Sequence, residues 1–217
     1  DFYIYAEIPQ PDRFGRFLQS LQKDYRVRIY WCLDDWEGWL RPTNPALVPE
    51  TVRNEKFVLE NVDMVFCVSP LLMEKIRRKA PDRTFLFRNF SYKDVVCYEG
   101  ETKASKEKIA VFVGWGSNYC KRYRDFSDFA ELVNTFSDYH FFIIGAYLPP
   151  LPFVTKNVTV FCGSYPSDFI LYCLAVASVG LVLNGRGFFS YYADPQRWYT
   201  YNLNKMIVVS RGIGSHL

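Results

Sequence analysis

VTVFCGSYPSDFILYCLAVASVGLVL, residues 158–183, decides the fold. A run rich in β-branched and aromatic residues, 158–162, gives way to Gly-Ser-Tyr-Pro, then to an apolar segment of helix length, 167–177, then to a second strand-like run, 180–183. Strand, helix and strand in so short a span predict a βαβ unit, whose two strands lie parallel. The alternation extends in both directions. Further strands are predicted at 109–113, 140–145 and 206–210, with helices at 125–136 and 195–204. In the first half, strands are predicted at 2–6, 26–32, 64–68 and 84–87, separated by amphipathic segments at 12–23, 49–61 and 70–79. Between the halves, YEGETKASKEK at 98–108 is polar and charged, which predicts a linker and two α/β domains, residues 1–98 and 99–217. Such a chain places a ligand at the carboxyl ends of its strands.

Composition narrows the class. The 217 residues are 49% hydrophobic and 23% charged with a net charge of +3, which fits a globular protein and argues against disorder. The halves carry 15 basic and 14 acidic residues, then 11 and 9, so no half concentrates the positive charge that nucleic-acid binding uses. No stretch approaches the ~20 apolar residues of a membrane span. Six cysteines, Cys32, Cys67, Cys97, Cys120, Cys162 and Cys173, form no CxxC pair and mostly lie in apolar runs, so they are read as buried reduced thiols of a cytoplasmic protein. The chain opens on Asp1 close to an apolar run and stops at Leu217 shortly after another, and is read as a piece of a longer protein. Aromatic residues are unusually frequent, at 18%, which fits a rich core, a sugar-stacking site or a membrane-facing surface.

Four segments carry candidate chemistry. YWCLDDWEGW, 30–39, runs a strand into Asp34 and Asp35, a pair able to bind a cation, orient a hydroxyl or act as a base, or simply to stabilise a turn. GWGSNYCKRYR, 114–124, follows a strand and precedes a helix. Gly114 and Gly116 there allow close backbone approach to a phosphate, and Lys121, Arg122 or Arg124 supplies counter-charge, although the stretch also reads as a glycine turn with solvated cations. In the 184–204 stretch, Pro195 suits a first helical position. Arg197 then falls in the first turn, where a cation is disfavoured by the helix dipole unless it meets an anion. The cluster Lys75, Arg77, Arg78 and Lys79 reads as a solvated helix face or as a contact with a membrane surface. His140 opens an apolar strand and reads as structural.

Taken in order, these segments resemble GT-B glycosyltransferases of the group 1, family 4-like type, and are similar to bacterial polysaccharide and teichuronic-acid transferases. RIYWCLDDWEGW resembles that family's "vYDcmDDw", and ENVDMVFCVSPLLMEKI its "+ADxVxavSxxL". FLFRNFSYKDVV stands in the place of "xxPNGVDxxxF", with Phe90 and Ser91 for the "GV". KIAVFVGW resembles the first strand of the nucleotide-sugar domain, YHFFIIGAY its "fxliG" strand and the 157–184 stretch its "nVxflGxxxxxelpxylaxaDvgllP", and PQRWYTYNLNKMIVV aligns without a gap on "PxKlyEYLAsGkPVV". The resemblance implies two Rossmann-like domains, the first incomplete at its N-terminus and the second at its C-terminus. The first would bind the acceptor and the second the donor, a nucleoside diphosphate sugar.

It further implies a hexosyl- or glycuronosyltransferase that neutralises the leaving pyrophosphate with backbone amides and Arg or Lys, with no metal or other cofactor. The acceptor would be a polysaccharide, a lipid-linked glycan or a cell-surface glycan, and the location cytoplasmic or peripheral at the inner membrane face. Gly114 and Gly116 would approach the donor, Arg197 occupies the family's phosphate-binding lysine position, and Asp34 or Asp35 would line the acceptor side as candidate catalytic groups. Thr200 stands where the family carries a ribose-binding glutamate, and Lys205 where it carries a glycine. Trp31, Trp36, Trp39, Trp115, Phe188, Phe189, Tyr191 and Tyr192 are candidates for stacking on sugar or base. A binding module that has lost turnover and a sugar-nucleotide epimerase of the same architecture are the alternatives.

Overall fold

The computed structural model describes residues 2–4, 16–17, 19–20, 29–33, 48–89, 97–98, 106–114, 129–145, 155–183 and 195–211. They divide into two compact units, one carried by the chain up to Arg88 and one from Asn89 onward. Each unit is a parallel sheet with helical crossovers, the Rossmann-like class expected.

In the first unit, β1 (Phe2–Ile4), β2 (Ile29–Leu33), β3 (Met64–Cys67) and β4 (Thr84–Leu86) pair in that order, all parallel. Helix α1 (Val48–Asn61) joins β2 to β3, and α2 (Pro70–Arg77) joins β3 to the short 3-10 turn Pro81–Arg83 ahead of β4. Ser69 starts α2: its hydroxyl accepts the Leu72 N–H at 3.1 Å and Pro70 fills the first turn. Leu72 and Ile76, four residues apart, then share the buried face. Each removes a full side chain from water, about 1.5–3 kcal/mol. The last turn of α1 holds no basic residue, and Arg83 supplies one from outside: its guanidinium donates to Val62 O at 2.5 Å and Leu59 O at 2.6 Å.

The pleat sorts this sheet into two faces. Trp31, Val65 and Thr84, in register, are buried. The alternate residues form an aromatic chain on the other face, with Phe66 6.0 Å from both Tyr30 and Phe85 and 6.1 Å from Phe87, ring centre to ring centre.

The second unit has strand order β7-β6-β5-β8-β9, again all parallel. Its strands are β5 (Glu107–Val113), β6 (His140–Gly145), β7 (Val158–Cys162), β8 (Ala177–Leu183) and β9 (Ile207–Arg211). Its helices are α3 (Phe129–Thr135), α4 (Ser167–Val176) and α5 (Gln196–Leu203). Phe129 and Val133 of α3 pack on Ala110, Phe112, Phe141, Ile143, Leu181 and Leu183 to form the core. The last turn of α4 likewise lacks a basic residue, and Lys106 donates to Leu174 O at 3.1 Å.

Three expectations need correction. Strand β8 begins at Ala177, not Gly180, because Ala177 already pairs with Glu107 and leaves the helical region at φ −75°, ψ 143°. Helix α4 therefore runs into β8 with no intervening residue. Glu107 and Lys108, read as the end of a linker, belong to β5. Of the five described cysteines, all free, Cys67 and Cys173 are buried, Cys32 and Cys97 are half-buried and Cys162 is exposed on the edge strand β7.

Candidate functional site

In the second unit the chain steps from β5 out to β6 and β7, then returns to lay β8 on the opposite side of β5. The order reverses between β5 and β8. Sheets of this kind bind ligands outside the carboxyl ends of the strands at that reversal. The carboxyl end of β5 is Val113, followed by Gly114, whose N–H donates to Ile144 O at 2.9 Å and closes the ladder to β6.

On the other side the β5–β8 register stops at the pair Val111 and Gly180. Beyond it, α5 supplies the partners. Val113 N–H donates to the Tyr201 hydroxyl at 3.1 Å, and that hydroxyl donates to Leu181 O at 3.4 Å, so one oxygen bridges the two strands. Val113 O accepts from Arg197 Nη1 at 3.1 Å, and the guanidinium carbon lies 5.0 Å from the centre of the Phe112 ring. Arg197 and Tyr201 are four residues apart, so one face of α5 grips both polar groups of the last residue of β5.

The helix lies close because Gly180 permits it. A Cβ built there would come within 2.4 Å of the Tyr201 ring, whose residue is fully buried. At its far end α5 closes in a Schellman motif: Met206 N–H donates to Tyr201 O at 3.0 Å and Lys205 N–H to Asn202 O at 2.9 Å. The residue in the left-handed position is Lys205, with φ 55°. Glycine would hold that conformation without the cost a Cβ brings.

Among the candidates read from sequence, the structure brings together Gly114 and Arg197. Arg197 meets a carbonyl at a strand's carboxyl end and an aromatic face, a local answer to the cation in a first helical turn that sequence alone does not supply. Thr200 lies on the same helix, and its hydroxyl donates back to Gln196 O at 3.3 Å. Asp34, Asp35, Gly116, Lys121, Arg122 and Arg124 lie outside the described residues, as do Trp36, Trp39, Trp115, Phe188, Phe189, Tyr191 and Tyr192. Trp31 is core rather than a stacking surface, 2% exposed, because its place in the pleat turns it to the buried face with Val65. Its indole N–H is buried with no hydrogen-bond partner among the described residues.

Tyr201 and Gly180 were missed. The available signals were a glycine inside a strand pattern, which marks close approach of another element, and the tyrosine of "PxKlyEYLAsGkPVV" that falls on Tyr201. His140 is structural as expected: a ring nitrogen lies 2.7 Å from the Thr159 hydroxyl, and the ring meets Phe142 edge-on at 5.3 Å. Burial pushes the Cys67 thiol up to about 12, with Cys32 adding to it, and the Cys173 thiol up to about 11, so neither is a nucleophile near neutrality. Among the described residues no group of three or more His, Cys, Asp or Glu is placed to hold a metal ion, and no helix is long and apolar enough to cross a membrane. In the basic cluster, Arg78 pairs with Glu74 at 2.8 Å, and burial first, then Lys79 and Arg78, holds Lys75 below its usual value.

No protein-family model and no curated protein matches the sequence. Solved structures do match. An α,α-trehalose-phosphate synthase (UDP-forming) from Burkholderia vietnamiensis aligns over 99% of this chain with a TM-score of 0.63 at 10% identity. TarM of S. aureus, solved with fondaparinux, α-GlcNAc-glycerol and UDP, aligns over 92% at TM-score 0.56 and 14% identity. A protein assigned as a UDP-N-acetylglucosamine 2-epimerase from Listeria monocytogenes aligns over 96% at TM-score 0.53 and 10% identity. The chain spans 60%, 40% and 56% of their respective lengths. At these identities the likeness shows the fold, two Rossmann-like domains of the GT-B class.

Proposed function

We propose that the protein is a glycosyltransferase that moves a sugar from a nucleoside diphosphate sugar to a polysaccharide, lipid-linked or cell-surface glycan acceptor. The observation that carries this reading is the meeting of Gly114, Arg197 and the start of α5 at the β5–β8 reversal. Breaking the bond between the sugar and the diphosphate leaves charge on the departing oxygen. In this reading the Arg197 guanidinium, which bonds Val113 O and lies over the Phe112 ring, meets that charge, and the positive end of α5 adds to it. The bidentate fork of arginine suits a phosphate as well as the lysine of the resembling family does. Gly116, Lys121, Arg122 and Arg124 complete the donor side in this reading, and Asp34 or Asp35 serves the acceptor side. Transfer needs no metal in this scheme, because the protein's own cations supply the counter-charge. The location is cytoplasmic, with the exposed cations Arg77, Arg78 and Lys79 available to an anionic membrane surface.

A second reading is favoured by Thr200. Where the resembling family has a carboxylate for the ribose, this chain has a hydroxyl bonded to its own helix, which suits a module that binds sugar nucleotides or glycans without turnover. Calorimetric titration of the full-length protein with UDP, GDP and dTDP sugars, together with product analysis in acceptor mixtures, separates the readings. Transfer to an acceptor supports the first, and binding without turnover in every mixture supports the second. A changed sugar configuration with no acceptor makes the protein an epimerase. Absence of any nucleotide binding removes the transferase and the epimerase, and leaves of the second reading only the glycan-binding form.

A further inference from the structure

We infer that Tyr201 is a positioning residue for the donor diphosphate, acting through the backbone of Val113 and Gly114; this rests on the donor-binding reading above. Beyond Val111 and Gly180 the paired strands would continue their ladder, and Val113 N–H and Leu181 C=O would be among its polar groups. Instead the Tyr201 hydroxyl accepts from the first and donates to the second. One oxygen thus replaces a direct strand-to-strand contact. The strands are held a hydroxyl's width apart at the point where a crevice is needed.

Tyr201 is fixed on every side. Its ring lies against Gly180 with no room for a Cβ, its carbonyl closes the end of α5, and the residue is inaccessible to water. The bridge therefore cannot be taken over by solvent. Because Arg197 bonds Val113 O from the same helix face, loss of the hydroxyl frees one of the two polar groups that α5 holds on Val113. The diphosphate-facing geometry should suffer, and a nucleoside bound elsewhere should not.

The test is the Tyr201→Phe substitution in the intact protein, titrated with UDP, GDP and dTDP and with uridine, guanosine and thymidine. The expected result is a loss of about tenfold in affinity for the nucleoside diphosphate that the wild type binds, with less than about twofold for its nucleoside. p-Aminophenylalanine at position 201, which both donates and accepts, restores the diphosphate affinity. If the phenylalanine variant does not fold, 3,5-difluorotyrosine carries the test, since it keeps the ring and weakens the oxygen as an acceptor. A smaller loss confined to the diphosphate then supports the proposal. Equal loss of diphosphate and nucleoside, or no loss of either, overturns it while leaving the donor reading standing. A wild type that binds no nucleoside diphosphate overturns both.

Discussion

Replacing Lys205 by glycine should stabilise the protein, and the size of the gain follows from the backbone. Lys205 occupies the left-handed position of the Schellman motif that ends α5, at φ 55°. A residue with a Cβ holds that conformation at a cost of about 1–2 kcal/mol, whereas glycine holds it freely. Glycine also loosens the unfolded chain, which returns about 0.4–1 kcal/mol of the gain. The net is roughly 0.5–1 kcal/mol, or a Tm increase of about 1–4 °C for a chain of this size. The side chain contributes little to lose, since Lys205 is exposed. Its charge is mildly unfavourable: Lys106 is held below its usual value by burial foremost and by Lys205 in addition, against an opposing pull from Cys97. Lys205→Ala separates the two effects, because it removes the charge and keeps the strain. Urea unfolding of wild type, Lys205→Gly and Lys205→Ala measures the difference at constant slope. Equal midpoints for the glycine and alanine variants would refute the backbone origin of the gain.

Gly180→Ala should cost about 1–3 kcal/mol, since the new Cβ meets a fully buried ring at 2.4 Å; an unchanged denaturation midpoint would show that α5 does not press on β8 there. Arg197→Ala should weaken binding of the donor nucleotide by about 10–100-fold, the worth of a charge-assisted hydrogen bond, and calorimetry that finds no change removes Arg197 from the phosphate site. The buried thiols set a limit at high pH. Cys67 and Cys173 are raised from 9.0 to about 12 and about 11, so the folded state keeps protons that the unfolded chain releases. Their contribution is intact below pH 9.0 and is lost as pH rises through the folded values, which Cys67→Ala should make less steep in a titration of unfolding against pH. In the same protein near pH 8, a small alkylating reagent read out by mass spectrometry should modify exposed Cys162 well before Cys67.

Most of the fold was legible because its signal is local. Runs such as Ile109 to Val113 and His140 to Gly145 are β-branched and aromatic, bounded by turn residues and long enough to pair; each strand expected from the sequence is present among the described residues, and those at 140–145 and 158–162 have the expected bounds. The start of β8 was misjudged because AVASVG is compatible with helix, and only pairing with Glu107 decides it. Caps supplied from far along the chain were invisible for the same reason. Arg83 reaches carbonyls of α1, and Lys106 reaches α4, across separations that no sequence window spans. At the candidate site, residue type and place singled out Gly114 and Arg197, which the fold sets beside each other at Val113. The Tyr201 bridge could not: the tyrosine of "PxKlyEYLAsGkPVV" falls on Tyr201, but a matching letter does not say what the hydroxyl touches until Gly180 and Val113 are set beside it.

The direct passage from α4 into β8 leaves this part of the chain intolerant of length change. Val176 is the last helical residue and Ala177 the first of the strand, so no loop exists to absorb an inserted residue. An insertion here would slide β8 by one step against β5 and β9, or drive the extra residue back into the helix. In the first case Val179 would arrive where Gly180 now faces Tyr201, and a branched side chain would occupy a place too tight for a methyl group. Variation in length among descendants of this sequence should therefore collect elsewhere in the chain and spare this junction, where the spacing between α4 and the tyrosine bridge is counted in single residues.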